Sequence, residues 1–347
     1  MKFVNIMNDD KFTADYLDFV EENLNFDEHV FFIFRSHHKF PIKIHPNVYS
    51  YSKKENNFFD YLVFLKKLVQ HGSKSKKIIL HGLVKFKVVQ ILWVFRFLLP
   101  KCHWAIWGGD LYRREENLLT RKGRYREFFR KKVIKDMGYI ITSIKGDYEN
   151  AVKWYGTKAP HLPYFMYPAS LYHDVDVPEK KDDKTTILVG NSADPSNNYE
   201  EVFNIIKPYI NDKVKVICPL SYGGKKHADK ITELGSKMFG SSFEPILDYM
   251  KYDDYISLLS TVDIAIFNHN RQQAMSNIRV LLGLGKKVYL RNSTSSYQTL
   301  TDIGAKVSDI NEFNLALSEE ESNRNANAIK AYYSKDNLIK NLNEIFS

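Results

Sequence analysis

The chain contains few cysteines, and they form no cluster. Cys102 and Cys218 are the only two in 347 residues, and each lies in an apolar run. Two distant thiols cannot build the disulfide framework of a small secreted domain, and their spacing matches no zinc site. The sequence also lacks a P-loop and a Gly-x-Ser-x-Gly elbow. It therefore predicts a protein of a reducing compartment that holds no metal.

Long hydrophobic runs are missing as well. The most apolar window, 88–99, is about a dozen residues long and contains Arg96, whereas a membrane-spanning helix needs roughly 20 apolar residues. The sequence MKFVNIMNDD reaches acidic residues before any long apolar run, unlike a signal peptide. Secretion and membrane spanning are therefore not expected, and 88–99 predicts a buried or interfacial helix.

Short apolar segments alternate with stretches of helical periodicity along the whole chain. The predicted strands are 2–6, 30–35, 77–81, 103–107 and 139–142 in the first half, and 185–191, 213–219, 244–248, 263–267 and 287–291 in the second. This βαβ rhythm is typical of parallel sheets, and the chain is too long for one ordinary core. The sequence therefore predicts an α/β protein with two Rossmann-like, doubly wound parallel-sheet domains.

The domain boundary is predicted at a polar segment that contains Pro178, because such composition is typical of an exposed linker. We therefore expect a first domain at 1–175, a linker at 176–184 and a second domain at 185–324. Residues 325–347 have helical periodicity and precede no further strand. They are expected to form a C-terminal helix that packs back on the first domain.

Polar residues crowd three turns that follow predicted strands of the second domain. Ligands of open α/β sheets bind beyond the carboxyl ends of the strands, so these turns are predicted to hold a nucleotide diphosphate. The candidate residues are Gly190, Asn191, Ser192, Ser196 and Asn197 in the first turn, Ser221, Tyr222 and Gly223 in the second, and Asn268, Arg271, Gln272 and Gln273 in the third.

Each turn offers a different contribution to such a site. Glycines let the backbone approach a ligand, Tyr222 is suited to stacking on a base, and Arg271 to a bidentate diphosphate contact. Ser196 or Asn197 is expected to cap a helix whose N-terminus suits phosphate. For any one of these turns, an ordinary polar connection between a strand and a helix is the alternative. For Arg271 the alternative is a surface salt bridge. Their placement at successive strand ends favours the site.

Two residues of the first domain are candidates for catalysis. Asp110 follows Gly108 and Gly109 at a strand end, and His81 precedes Gly82 at another. A carboxylate or an imidazole there is suited to deprotonating a hydroxyl, and a carboxylate also to stabilising an oxocarbenium-like centre. A helix N-cap for Asp110 and a structural role for His81 are the alternatives.

A basic amphipathic region lies between Arg113 and Lys135 in a chain of formal net charge +9. Its cations are interleaved with residues such as Leu118, Tyr125 and Phe128. Such a surface is suited to an anionic membrane, although a solvated helix that packs on the sheet remains an alternative. A nucleic-acid-binding protein would also explain the charge, but no RRM or OB pattern is present.

Four blocks together resemble the TDP-N-acetylfucosamine:lipid II N-acetylfucosaminyltransferase family, which is 4-alpha-L-fucosyltransferase-like. They are residues 104–112 (WAIWGGDLY), 187–192 (ILVGNS), 219–223 (PLSYG) and 267–273 (FNHNRQQ), in the family's order. The resemblance implies a GT-B glycosyltransferase with a cleft between two Rossmann-like domains. The second domain would bind the donor and the first the acceptor, with no metal or other cofactor.

The resemblance also implies the substrates. The donor would be dTDP-activated 4-acetamido-4,6-dideoxygalactose, and the acceptor an undecaprenyl diphosphate-linked oligosaccharide of enterobacterial common antigen or O-antigen biosynthesis. The enzyme would then be peripheral, at the cytoplasmic face of the bacterial inner membrane. The chain departs from the family pattern at Ala105, where a histidine often precedes the Ile-Trp-Gly step, so a related dideoxy-acetamido sugar stays open. A GT-B sugar-nucleotide epimerase is the alternative within enzymes.

Overall fold

The fold is described from a computed structural model, for residues 3–35, 40–175 and 183–347. The chain divides into two compact units, residues 1–171 with 335–347 and residues 172–334. Most of the predicted linker, 176–182, lies outside the described residues.

The first unit contains a parallel sheet with strand order β3-β2-β1-β4-β5-β6-β7. Its strands are β1 (Phe3–Asn8), β2 (His29–Arg35), β3 (Val48–Ser52), β4 (Lys77–His81), β5 (Cys102–Ala105), β6 (Tyr139–Ile141) and β7 (His161–Leu162). The strand order reverses direction between β1 and β4. This is the topological switch point, at which ligands of such sheets bind.

In the described part of this unit the helices between the strands are α1 (Thr13–Asn23), α2 (Phe58–Lys74), α3 (Phe86–Val94), α4 (Gly109–Leu118), α5 (Arg121–Lys135) and α6 (Lys145–Tyr155). Helix α2 begins with a capping box, because Asn57 and Asp60 each accept a hydrogen bond from the other's backbone N–H. Leu68 of α2, Leu92 of α3 and Ile134 of α5 share one core with the sheet.

The apolar window 88–99 forms most of α3 and part of a 3-10 turn, Arg96–Lys101. This agrees with the expected short helix. Among the residues that the structure describes, no helix is both long and apolar enough to cross a membrane.

The second unit contains a parallel sheet with strand order β10-β9-β8-β11-β12-β13. Its strands are β8 (Thr185–Val189), β9 (Val214–Pro219), β10 (Phe243–Ile246), β11 (Ile264–Phe267), β12 (Lys287–Leu290) and β13 (Ser308–Asp309). Its helices are α7 (Tyr199–Ile206), α8 (Lys225–Phe239), α9 (Tyr252–Ser260), α10 (Met275–Gly283), α11 (Ser295–Asp302) and α12 (Glu319–Tyr332). Here the switch point lies between β8 and β11. The two doubly wound parallel sheets confirm the predicted fold class.

Residues 325–347, expected as one helical segment, hold the end of α12 in the second unit and all of α13 (Lys335–Phe346) in the first. The ring of Phe346 lies 4.9 Å from that of Phe3, between ring centroids. The ammonium of Lys77 donates to the carbonyl of Ile345 at 2.9 Å. Helix α13 is thereby fixed to the start of β1 and β4.

Candidate active site

Gly190 directly follows β8 at the switch point of the second unit. Its φ of +69° lies in the left-handed region, where side chains are disfavoured. A Cβ atom at this position would lie 2.5 Å from Oη of Tyr199 and 2.7 Å from Oδ1 of Asn197. The loop that follows therefore packs closely on its own later residues, and only glycine fits at its start.

Asn197 organises this loop and is fully buried. Its Nδ2 donates to the carbonyls of Ser192 and Asp194, each at 3.0 Å. Its Oδ1 accepts from the backbone N–H of Asn191 at 3.1 Å and lies 3.0 Å from Nε2 of His269. Asn197 thus ties the turn after β8 to the turn after β11.

The capping prediction for this loop is wrong. Neither Ser196 nor Asn197 caps α7, because the residue before the helix is Asn198, in the left-handed region with φ +49°. The amide of Asn197 is turned into the loop instead. Asn198 donates through Nδ2 to the carbonyl of Asn268 at 2.7 Å, which adds a second link between the two turns.

The turn after β9 joins the same assembly through the backbone. Gly223, with φ +119°, forms a parallel β-bridge with Ala193, and the N–H of Ala193 donates to the carbonyl of Tyr222 at 2.6 Å. A Cβ on Gly223 would lie 2.7 Å from the backbone of Ala193, so this approach requires glycine. The side chain of Tyr222 is 80% exposed.

Asn268, at the end of β11, has an unusual environment. It is 1% exposed, and neither Oδ1 nor Nδ2 of its side chain has a hydrogen-bond partner within the described part of the chain. Oδ1 of Asn191, on the other side of the switch point, is also buried and has no hydrogen-bond partner within the described part of the chain. Leaving a buried polar group unpaired costs about 1–3 kcal/mol, so native proteins rarely keep one without a role. Both positions are therefore suited to a polar ligand or an ordered water.

Positive charge at this edge is supplied by Arg271, whose guanidinium is exposed. Beside it, burial and, to a smaller extent, the charge of Arg271 lower the pKa of His269 to about 4. His269 is therefore neutral at pH 7. Gln273, on the same turn, accepts from Oγ of Ser196 at 3.1 Å. The edge thus combines buried neutral polar groups with the exposed charge of Arg271, an arrangement that suits an anionic ligand.

In the first unit, His81 lies at the end of β4, beside the other switch point. It is fully buried, and burial lowers its pKa to about 3. Its Nδ1 lies 2.9 Å from Oη of Tyr167 and its Nε2 lies 3.1 Å from Oδ1 of Asn5. Nε1 of Trp107 donates to the same Oη at 2.6 Å. The neutral imidazole is thus held in a hydrogen-bonded chain that runs from Trp107 into the core.

Asp110, in the first turn of α4, is also buried. One oxygen accepts from the N–H of Leu83 at 2.6 Å and from Nε1 of Trp104 at 2.7 Å. The other accepts from the N–H groups of Trp107 and Leu111 at 2.9 and 3.0 Å. The carboxylate therefore fixes the turns after β4 and β5 to each other. Its catalytic assignment, like that of His81, stays a prediction.

Asp10 is a further carboxylate at this switch point, and the sequence reasoning did not single it out. It follows β1 by two residues and is half-buried. Its Oδ1 accepts from the N–H of Phe12 at 2.9 Å and from Oγ1 of Thr13 at 3.2 Å. Burial raises the pKa of its carboxyl, against the effect of these hydrogen bonds. Its position after the first strand of a doubly wound sheet was the signal in the sequence.

The profile of the family described as 4-alpha-L-fucosyltransferase, glycosyl transferase group 56, matches residues 47–307. This match covers most of both units. The chain belongs to this family. It is a nucleotide-sugar-dependent glycosyltransferase, as the resemblance in the sequence implied.

Solved structures resemble the transferase over its whole length. The N-terminal domain of Candida albicans trehalose-6-phosphate phosphatase has a TM-score of 0.65 at 12% identity, covering 99% of this chain and 96% of that one. The lipopolysaccharide outer core galactosyltransferase WaaB, apo form, has 0.64 at 10%, covering 99% and 98%. Anabaena Alr3699/HepE, in complex with UDP and glucose, has 0.56 at 11%, covering 100% and 95%. At these identities the likeness establishes the fold alone, and that fold is GT-B.

The three turns of the transferase that the sequence singled out lie at one edge of one sheet and are joined by hydrogen bonds. The side chains of Ser221 and Tyr222 are exposed there, whereas Asn197 and Asn268 are buried. Whether these residues bind a ligand stays a prediction. Sequence reasoning missed Arg291, which donates through Nε to the carbonyl of Asn268 at 3.3 Å. Its position directly after β12 is the feature of the sequence that could have identified it as a candidate.

Metal ligands were not expected from the sequence. Within 3–35, 40–175 and 183–347, no group of three or more His, Cys, Asp or Glu side chains is arranged to hold a metal ion. The expected independence from metals stays a prediction.

Proposed function

We propose that this transferase moves a 4-acetamido-4,6-dideoxyhexose, N-acetylfucosamine, from dTDP to an undecaprenyl diphosphate-linked oligosaccharide in O-antigen or enterobacterial common antigen biosynthesis. Membership of the fucosyltransferase family supports transfer of a deoxyhexose. The observation that carries the donor site is a set of buried, unpaired side-chain atoms at the switch point: Oδ1 of Asn191 after β8, and Oδ1 and Nδ2 of Asn268 after β11.

In this proposal the sugar nucleotide binds at the carboxyl edge of the second sheet. The unpaired side-chain atoms of Asn191 and Asn268 hydrogen-bond to it, and the close-packed loop at Gly190 lets its phosphates approach the backbone. Arg271 and the N-terminal N–H groups of α10 stabilise the negative charge that develops on the departing dTDP. These groups take the part that a metal ion plays in other transferases, so the proposed reaction needs no metal or other cofactor.

The acceptor reacts through one hydroxyl group. Its oxygen attacks the anomeric carbon, the bond from that carbon to the diphosphate oxygen breaks, and a carboxylate accepts the hydroxyl proton. We infer that Asp10 is better suited to this step than Asp110. The half-buried Asp10 has a raised pKa, which favours proton uptake, whereas both oxygens of Asp110 accept hydrogen bonds from the protein.

The reaction is tested by incubating the protein with dTDP-, UDP- and GDP-sugars and a synthetic polyprenyl diphosphate-linked oligosaccharide, and following the acceptor mass. We expect a gain of one dideoxy-acetamidohexose from the dTDP donor. Turnover of a donor without an acceptor would instead indicate a sugar-nucleotide epimerase. Binding of DNA or RNA that depends steeply on salt, without any transfer, would favour the nucleic-acid alternative.

Arg271→Ala tests the donor site directly. Loss of a charge-assisted diphosphate contact is expected to lower kcat/KM for the donor by about 100-fold. Arg324→Ala is the matched control, because this exposed arginine of the same unit donates to the carbonyl of Gly304, away from the switch point. Unchanged donor turnover in Arg271→Ala would exclude the phosphate contact.

Asp10→Asn and Asp110→Asn test which carboxylate accepts the proton. Asp10→Asn is expected to lower kcat by about 100-fold or more while the fold is kept, since general bases contribute about 10²–10⁴-fold. A normal kcat in Asp110→Asn would remove that carboxylate from the mechanism. A normal kcat in Asp10→Asn would instead return the assignment to Asp110.

We further propose that the transferase is peripheral and lies at the cytoplasmic face of the bacterial inner membrane. The basic region from Arg113 to Lys135 and the net charge of +9 support attraction to anionic headgroups. A protein that ignores anionic vesicles at low salt would contradict this location.

A further inference from the structure

The outer face of one helical layer in the first unit is apolar. Helices α2, α3 and α5 pack their inner faces into the same core, so their outer faces point away from the sheet on one side. Helix α3 and the turn after it expose Trp93, Val94 and Phe97, which are 41%, 63% and 60% accessible. Helix α5 exposes Tyr125 and Phe128, each 58% accessible.

Trp93, Tyr125 and Phe128 surround the partly buried Phe129, and Val94 and Phe97 lie next to Trp93 along the chain. The centroid of the Phe129 ring lies 5.0 Å from that of Trp93, 5.0 Å from that of Tyr125 and 5.4 Å from that of Phe128. We call Trp93, Val94, Phe97, Tyr125 and Phe128 the aromatic patch. Single exposed apolar side chains are ordinary, but a contiguous group marks an interaction surface.

Cations border the aromatic patch. Helix α5 carries one carboxylate, Glu127, which is buried in an ion pair with Arg130 at 3.0 Å. The ammonium of Lys132 lies 5.8 Å from the centroid of the Phe128 ring. The remaining basic residues of α5 are solvent-accessible: Arg121, Lys122, Arg124, Arg126, Lys131, Lys132 and Lys135. The outer face of α5 therefore combines aromatic rings with positive charge and has no exposed carboxylate.

We propose that the aromatic patch inserts into the interfacial region of an anionic phospholipid bilayer, while the cations of α5 contact its headgroups. Aromatic side chains next to Lys and Arg are the composition that binds membrane interfaces, and charge complementarity selects anionic lipid as the occupant. The inference rests on the proposed function, because a polyprenyl-linked acceptor lies in such a bilayer. It goes beyond headgroup attraction by assigning side chains that enter the apolar phase.

Helix α2, in the same helical layer, carries a second group of exposed apolar side chains. Its outer face exposes Phe58, Phe59, Leu62 and Val63 near the N-terminus of the helix. The ammonium of Lys87, in α3, lies 4.2 Å from the ring centroid of Tyr61 in α2, so the N-terminal ends of the two helices are neighbours. A second exposed apolar group in the same helical layer favours a broad, flat partner such as a bilayer.

Vesicle co-sedimentation tests the insertion. The variant Val94→Ser, Phe97→Ser, Phe128→Ser removes three exposed side chains, and its partitioning into phosphatidylglycerol-containing vesicles is expected to fall by about 100-fold or more. The control Tyr249→Ser, Leu317→Ser removes two exposed apolar side chains of the second unit and is expected to bind like the wild type. Equal binding of both variants would overturn the proposal.

Salt separates insertion from headgroup attraction, because exposed charges are screened and apolar contacts are not. The wild type is expected to keep part of its binding in 0.5 M salt, about threefold above physiological ionic strength. The triple serine variant is expected to bind only at low salt. Complete release of the wild type by salt would show attraction alone and would overturn the insertion.

Trp93 provides a direct measure of depth. Lipids brominated in the acyl chain are expected to quench part of the tryptophan fluorescence, and Trp93→Phe is expected to abolish this quenching. Trp104, which is fully buried, serves as the internal reference. Quenching that survives in Trp93→Phe, or none in the wild type, would contradict the proposed orientation. Equal binding to vesicles of pure phosphatidylcholine would also contradict the proposal. Self-association through the aromatic patch in solution would contradict it as well.

Activity on a water-soluble acceptor keeps the two proposals apart. With a short prenyl chain, the triple serine variant is expected to turn over like the wild type, since the patch lies outside the proposed donor site. Sugar transfer without vesicle insertion would refute the insertion alone. Insertion without transfer from any donor would refute the proposed reaction and leave the membrane surface standing.

Discussion

The two switch points of the molecule treat buried polar side chains in opposite ways. His81 ends a strand beside the switch point of the first unit, and Asn268 follows a strand beside that of the second. Both side chains are buried. Both ring nitrogens of His81 have partners in the protein, whereas neither polar atom of the Asn268 side chain has one in the described chain. The first arrangement stabilises a fold, and the second leaves hydrogen-bonding capacity for a ligand.

The contrast has exceptions in the first unit. Oδ1 of Asn8, at the end of β1, is buried without a hydrogen-bond partner among the described residues. Oη of Tyr16 is buried without a hydrogen-bond partner among the described residues, and its ring centroid lies 4.7 Å from that of His81. Burial raises the pKa of Tyr16, so the hydroxyl stays neutral. Asn8 and Tyr16 each leave a single atom unpaired, whereas Asn268 leaves a donor and an acceptor unpaired together.

The largest expected difference between the two units is their loss of stability in acid. Burial lowers the pKa of His29 and His103 to about 4 and that of His81 to about 3, all in the first unit. His269, lowered to about 4, is the comparable residue of the second unit. The unfolded chain binds protons on these imidazoles below about pH 6.5, and the folded chain does not, so the free energy of unfolding falls as the pH falls from 6.5 towards 4. At pH 5 the loss is on the order of 2 kcal/mol per histidine.

The first unit should therefore unfold before the second on acidification. All four tryptophans lie in the first unit, so their fluorescence reports on it alone. Each unit also contains one buried thiol, Cys102 or Cys218, whose labelling reports local opening. Faster labelling of Cys102 than of Cys218 as the pH is lowered is the expected result. Equal acid sensitivity of the two thiols would break the comparison.

Replacing asparagine by leucine should have opposite consequences at two buried positions of the second unit. Asn197→Leu removes hydrogen bonds to four residues and is expected to lower the free energy of unfolding by about 3–5 kcal/mol. Asn268→Leu removes atoms that have no protein partner, so stability is expected to stay the same or rise by about 1 kcal/mol.

Donor binding completes the test. Asn268→Leu is expected to weaken binding of the sugar nucleotide by about tenfold or more, because the ligand loses its hydrogen-bonding partner. Calorimetric titration with the nucleotide diphosphate, alongside denaturant unfolding, measures both effects. A destabilised Asn268→Leu with unchanged donor affinity would show that the amide serves the fold, and the contrast with His81 would disappear.

The sequence predicted the architecture well because strand periodicity is a local signal. The strand 77–81 agrees with β4 residue for residue. The strands β3, β7 and β13 were not predicted. The alternating Tyr and Ser residues of β3 lack an apolar run, and β7 and β13 are two residues long at the ends of their sheets. The predicted strand 103–107 extended too far, because the chain leaves the sheet after Ala105.

The sequence predicted where in the fold the site lies, but not which side chains contact each other there. Parallel strands bring their carboxyl ends to one edge, so the crowded turns could be expected to meet. The sequence could not distinguish Asn197 from Asn268, since both are asparagines after a strand. The side chain of Asn197 is paired by its own loop, through Asn191, Ser192 and Asp194, and by His269, which lies 72 residues away across the switch point. Such long-range pairing is set by the packed fold.

The smallest expected effect concerns the backbone at the start of α10. Ala274 precedes this helix with φ +59°, a conformation that costs roughly 1–2 kcal/mol for a residue with a Cβ atom. Ala274→Gly should relieve this strain, and the added freedom of the unfolded chain offsets part of the gain. The net expectation is a rise of less than about 1 kcal/mol in the free energy of unfolding of the second unit. Ala228→Gly, inside α8 where the backbone is helical, should instead lower it by about 1 kcal/mol.

If Ala274→Gly also weakened donor binding, the left-handed turn would be holding Gln273 and the N–H groups of α10 ready for the ligand, and the second switch point would be strained as well as unsatisfied. If donor binding stayed the same, the difference between the two switch points would rest on side-chain hydrogen bonding alone.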